Sequence, residues 1–94
     1  MSFFIEPYDD CQQYTTFTSD IDLTSTAQSS AAVIRGHARG IRVDVVGSGT
    51  LALVFSGSGG TTRTFTVTAG WELTAAKILT IKSTTNVSRV TVGW

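Results

Sequence analysis

A chain of 94 residues holds one domain, and at 41% hydrophobic against 15% charged it is too apolar to stay disordered. Seven basic and seven acidic side chains cancel to zero, leaving no basic excess to neutralise a run of phosphates and little repulsion to keep copies apart. The lone cysteine, Cys11, cannot form an internal disulfide, and no apolar run reaches the ~20 residues of a membrane helix, so a cytoplasmically made protein with no nucleic-acid or membrane partner is expected.

In chain order, "MSFFIEPYDD" comes first. It lacks the positive start and long apolar stretch of a signal peptide, and Pro7 favours an extended chain at Glu6. Phe3, Phe4, Ile5 and Tyr8 are too apolar to trail in water. Either they cap the core or they form an arm that docks on a neighbouring subunit. Within residues 1–30, read as an N-terminal arm or edge strands, "QYTTFT" and "DIDLT" can each supply a short strand before a polar Ser/Thr/Gln stretch.

Residues 31–94 read as a β core. Helical periodicity is hard to find, and alternation with many Thr, Val and Ile dominates. "GIRVDVVG" sets Ile41, Val43 and Val45 against Arg42 and Asp44. "TLALVF" aligns Leu51, Leu53 and Phe55, and "TRTFTVTAG" sets Phe65 and Val67 against threonines. "KILTIKS" sets Leu79 and Ile81 against Thr80 and Lys82, and "SRVTVGW" aligns Val90, Val92 and Trp94. Turns are expected at Gly47-Ser48-Gly49, Gly57 to Gly60, Ala69-Gly70 and Thr84-Thr85-Asn86. Five or six short strands at this spacing predict an all-β fold. It is a small antiparallel β-sandwich or jelly-roll-like barrel with an extended N-terminal arm.

Candidate chemistry is sparse. "FSGSGGTTRTFTV" has the glycines of a phosphate loop, but a strand pattern follows them in place of a helix, and no lysine is present; a hairpin turn is expected. One His and one Cys fall short of a zinc set, and Asp9, Asp10, Asp20 and Asp22 lack the glycine and the terminal bidentate glutamate of a calcium loop. No "GxSxG" elbow accompanies His37, and no carboxylate pair stands out, so no catalytic, cofactor or metal residue is assigned and no enzyme is expected. In "VIRGHARGIRV", Arg35, His37, Arg39 and Arg42 suit an anion contact or a histidine switch, against the plainer reading of a solvated loop. A subunit-interface salt bridge is the functional role favoured there. Trp71 in "TAGWEL" suits a sugar-stacking platform or, more plainly, a lid over one open end of the core. "NVS" at 86–88 matches a glycosylation acceptor and reads more simply as a turn.

Taken whole, "ARGIRVDVVGSGTLALVF" followed by "TFTVTAGWELTAAKILTIKSTTNVSRVTVGW" resembles the small β-rich virion proteins of tailed bacteriophages and gene transfer agents, of the head-decoration or spike-base type. The shared elements are an "ARG-apolar-x-V" strand opening, a glycine turn, a "T/V-F-x-V-x-A-G" strand, "STTNV", and a closing strand ending at or near Trp. They cover roughly residues 38–94. Thr68 and Thr74 stand where the family tends to carry proline, and the turn usually written "GDV" is the longer "GSGTLA" here.

The resemblance implies a non-enzymatic structural protein, without a cofactor, that decorates or anchors a component on a phage head. It would assemble with copies of itself, as a trimer or pentamer first of all, and with a major capsid protein or other virion protein, and reside in the virion. Phe3, Phe4, Ile5, Tyr8, Arg35, Arg39 and Trp71 are the candidate assembly interface. The alternative is a small receptor- or carbohydrate-binding β module of a tail fibre.

Overall fold

The computed structural model describes residues 8–44 and 48–94. Among these the chain forms eight strands and a short helix: β1 (Cys11–Tyr14), β2 (Ile21–Asp22), α1 (Ser30–Arg35), β3 (Gly40–Val43), β4 (Ser48–Phe55), β5 (Thr62–Thr68), β6 (Glu72–Leu73), β7 (Ile78–Ile81) and β8 (Val90–Gly93). All pairings are antiparallel, in two four-stranded sheets ordered β1-β8-β3-β6 and β2-β7-β4-β5.

This order has a simple origin. The pairings β1·β8, β2·β7, β3·β6 and β4·β5 are the rungs of one long hairpin folded about the β4–β5 turn. Wrapping that ribbon around a core adds β3·β8 in one sheet and β4·β7 in the other. The product is a jelly roll, a sandwich of two nested Greek keys, and the expectation of an all-β sandwich holds.

The alternating residues explain which faces meet. Ile41 and Val43 of β3 are fully buried opposite Val92 and Val90 of β8, while Arg42 between them faces outward. Leu51, Leu53 and Val67 supply the facing layer from β4 and β5. Each such side chain contributes roughly 1.5–3 kcal/mol on full burial. Trp94 continues the buried face of β8, and its indole N–H donates to the Leu23 carbonyl at 2.7 Å. That bond lets a polar ring sit in the core without an unpaired donor.

The glycines of "SGSGG" turn the chain. Gly59 and Gly60 take φ of 63° and 85°, which residues with a Cβ rarely adopt. The Ser58 and Thr61 amides close the loop onto the Phe55 and Ser58 carbonyls, both at 3.1 Å. Strand β5 follows directly.

The structure differs from the sequence expectations in several places. Ser30–Arg35 is helical, where the sequence predicts no helix and, from Val33 to Gly40, a loop leading into the strand at Ile41. Ser48 and Gly49 belong to β4, opposite Thr68 and Val67, so no turn occupies them; Gly47 and Val45 lie outside the described residues. In β7 the fully buried pair is Ile78 and Ile81, whereas Leu79 is only half-buried. A bulge causes this: Val54 pairs with Thr80 and Phe55 with Ile78, so the alternation slips by one residue. Within residues 8–30, read from the sequence as part of an arm or edge strands, β1 and β2 are edge strands of the two sheets and Leu23 is fully buried.

Candidate functional site

Of the seven expected interface residues, Phe3, Phe4 and Ile5 lie outside the described residues. Tyr8, Arg35 and Arg39 come together around Asp9. The Arg35 Nε and Nη2 donate to Asp9 Oδ2 at 2.9 and 2.5 Å, and Arg39 Nη2 lies 3.7 Å from the same oxygen. Arg39 Nη2 also donates to the Trp94 carbonyl at 3.0 Å, which accepts from the Asp9 amide at 2.6 Å. The neighbouring Asp10 carbonyl accepts from the Trp94 amide at 2.9 Å, and its carboxylate accepts from Ser29 Oγ at 2.5 Å. Residues 8–10, α1, the start of β3 and the end of β8 are thereby joined at one place.

Tyr8 lies over the outer face of the first sheet. Gly40 and Gly93 are cross-strand partners there, and both are buried beneath its ring. A Cβ at Gly93 would sit 2.6 Å from Tyr8 Cγ, and one at Gly40 would run into the hydroxyl. The two glycines therefore make the seat that the aromatic ring fills. The Arg39 guanidinium stands 5.5 Å from the ring centroid, within cation–π range. Burial pushes the Tyr8 phenol above its ordinary pKa, and the Arg39 charge opposes that shift.

The ion pairs themselves contribute little. Arg35 and Asp9 keep 38% and 52% of their side-chain surface, and pairs this exposed are worth about 0–1 kcal/mol each. What they do is fix position: Tyr8 and Asp9 are held beside α1. On that helix Val33 and Ile34 are 59% and 84% exposed, unlike the other large hydrophobic side chains of the described residues. Sequence reasoning missed Val33, Ile34 and Asp9 as members of this surface. A signal was present in "SSAAVIRG", where a capping serine and a following glycine bracket a short helix.

The remaining candidates disperse. Trp71 is half-buried at the opposite end of β3, where its carbonyl accepts from the Val43 amide at 2.8 Å. Its ring packs on Phe65 at a centroid distance of 5.4 Å, and Phe65 meets Phe55 edge-on at 6.2 Å. Arg42 Nε donates to Asp44 Oδ1 at 2.7 Å, and the other Asp44 oxygen accepts from Thr91 Oγ1 and lies 3.9 Å from Arg89 Nε. His37 Nδ1 sits 3.1 Å from the Ala38 carbonyl. The basic run at 35–42 thus divides between Asp9 and Asp44.

Burial raises the pKa of the Cys11 thiol, with the Asp10 charge adding to it, which lowers its thiolate fraction at neutral pH. Among the described residues no three His, Cys, Asp or Glu side chains gather in a way that could hold a metal ion. No helix among them is long and apolar enough to cross a membrane. No known protein family, curated protein or solved structure matches the chain.

Proposed function

We propose that this protein is a non-enzymatic structural component of a phage virion, assembling through contacts between copies to decorate or anchor part of the head. The observation that carries the self-assembly is the surface beside Asp9: Tyr8 and Asp9 are fixed there, and α1 leaves Val33 and Ile34 in water next to Arg35. The apolar Phe3, Phe4 and Ile5 immediately precede this anchor in the chain. Covering a few hundred Å2 of such surface contributes several kcal/mol at ~25 cal/mol per Å2 before the cost of association, and repetition around a shell multiplies the effect. The assignment to a virion rests on the resemblance over roughly residues 38–94 and on the jelly roll, an architecture common to viral capsid and lectin domains.

Absolute mass by light scattering over a dilution series tests the reading. Full-length protein is expected to form a defined oligomer, and removing residues 1–7, which spares Tyr8, is expected to reduce its mass while far-ultraviolet circular dichroism stays the same. A full-length monomer at every concentration overturns self-assembly. An unchanged mass after truncation removes Phe3, Phe4 and Ile5 as docking residues.

A further inference from the structure

The longest edge of the sandwich is β5, seven residues at the end of the second sheet with β4 on one side and, among the described residues, nothing on the other. Backbone geometry says which groups face outward. On β4, Thr50 exchanges both backbone bonds with Asn86, at 3.1 and 2.8 Å. Ala52 donates to Thr85 Oγ1 at 3.0 Å and accepts from the Lys82 amide at 2.9 Å. Both point away from β5. The alternation of an antiparallel ladder then leaves Gly49, Leu51 and Leu53 to bond their partners Val67, Phe65 and Arg63. Thr62, Thr64, Thr66 and Thr68 are left with their N–H groups and carbonyls directed outward; the Thr68 carbonyl accepts from the Trp71 amide at 3.1 Å.

The edge is also unguarded. Exposed sheet edges in soluble proteins are blunted by lysine, proline, bulges or brevity. β5 has none of these, and Arg63 is its only charge.

We propose that β5 pairs antiparallel with β5 of a second copy, about a two-fold axis at Phe65, joining the two second sheets into one continuous sheet. This builds on the self-assembly proposed above and names the strand that carries a contact. The sequence "TRTFTVT" is nearly symmetric about its centre, which is what an isologous contact requires. In that register Thr62 meets Thr68 and Thr64 meets Thr66 as hydrogen-bonded pairs, and threonine pairs of this kind are favourable across strands. Phe65 meets its own copy at the close, non-hydrogen-bonded position, where aromatic side chains interact best. Arg63 faces Val67 of the other copy, so no like charges oppose. Sliding the axis to Arg63 would set two guanidinium groups face to face, and any slide shortens the seven-residue overlap.

The test uses the full chain and two variants. Thr64→Lys with Thr66→Lys sets lysine opposite lysine in both central pairs. Thr66→Pro removes an outward N–H that serves no bond among the described residues, which an edge strand tolerates. Mass is read by sedimentation equilibrium, with circular dichroism to confirm the fold. The expected result is a wild-type assembly built on dimers and variants with half its mass or less, dimerisation being weakened by at least about tenfold, the equivalent of ~1.4 kcal/mol. Variants that assemble as wild type does overturn the β5 contact. If they do so while removal of residues 1–7 lowers the mass, assembly stands and the contact lies with the N-terminal segment. Wild type that is monomeric throughout overturns both.

Discussion

Tyr8 and the two glycines beneath it form a contact whose value depends on both sides. Gly93→Ala brings a Cβ within 2.6–2.8 Å of three ring atoms, so the ring must lift or the strands must shift. Overpacking of this sort costs roughly 1–3 kcal/mol. Tyr8→Ala strips the cover from Gly40 and Gly93 and removes the ring that Arg39 stands over. In the double variant the clash no longer exists, so its loss, measured by denaturant unfolding, is expected to fall short of the sum of the single losses. A strictly additive cycle would show that ring and glycines act independently. Tyr8 stands out in the sequence as an apolar residue that needs a place. Its place does not, because Gly40 and Gly93 read as a strand boundary and a strand end until β3 and β8 are paired.

At the scale of elements, what was legible is what repeats every two residues. β3, β4, β5, β7 and β8 fall on the alternating runs because in each strand large apolar side chains face the core, although residues of both faces are buried in β4 and β8 and the alternation of β7 slips at its bulge. The six-residue α1 is too short to show a 3.6-residue period, and its Val33 and Ile34 face solvent, which inverts the usual cue. It stands on its ends instead. Ser29 Oγ accepts from the Ala31 amide at 3.1 Å, and Gly36, with φ of 75°, returns its amide to the Ala32 carbonyl at 2.8 Å. Ser29→Ala removes that cap and also the 2.5 Å bond to Asp10. The expected loss is about 1–2 kcal/mol in unfolding free energy, at the upper end of the range for capping residues because two partners are lost together. Ser29→Asp, which caps equally well but repels Asp10, separates the two contributions: a full rescue would assign the whole effect to the helix end. The assembly surface was legible only in part for the same reason. Arg35 and Arg39 could be picked out as paired charges, but Asp9, which joins them, is 26 residues from Arg35 in the chain.

The whole molecule closes its sheets with strands from the first thirty residues, and those strands make stability depend on pH at both extremes. Asp20 accepts from Lys82 Nζ at 2.7 Å and from the Ser83 amide at 2.8 Å, and these bonds hold its pKa below the ordinary carboxylate value. Asp22 is lowered in the same way by the Thr24 hydroxyl and amide. A carboxylate depressed in the fold takes up its proton first in the unfolded chain. Its contribution is therefore present above the ordinary carboxylate range and is lost as pH falls through the depressed values. At the other extreme, burial, helped by the Asp10 charge, pushes the Tyr14 phenol up to about 12, and its hydroxyl donates to Gln28 Oε1 at 2.7 Å. Here the unfolded chain ionises first, from about pH 10, so stability holds below that point and falls until the folded phenol ionises near 12. Tyr14→Phe loses the bond to Gln28 and is expected to melt lower at neutral pH, yet its melting temperature should fall less steeply between pH 10 and 12 than that of wild type. Lysine deprotonation, including that of Lys82, is common to both proteins and drops out of the comparison. Thermal melts followed by circular dichroism across this window decide the matter: equal slopes would mean that the phenol is not buried when β1 docks on β8. A flatter slope in the variant assigns part of the alkaline loss of stability to Tyr14 of one edge strand, as Asp20 and Asp22, at the other, contribute to the loss in acid.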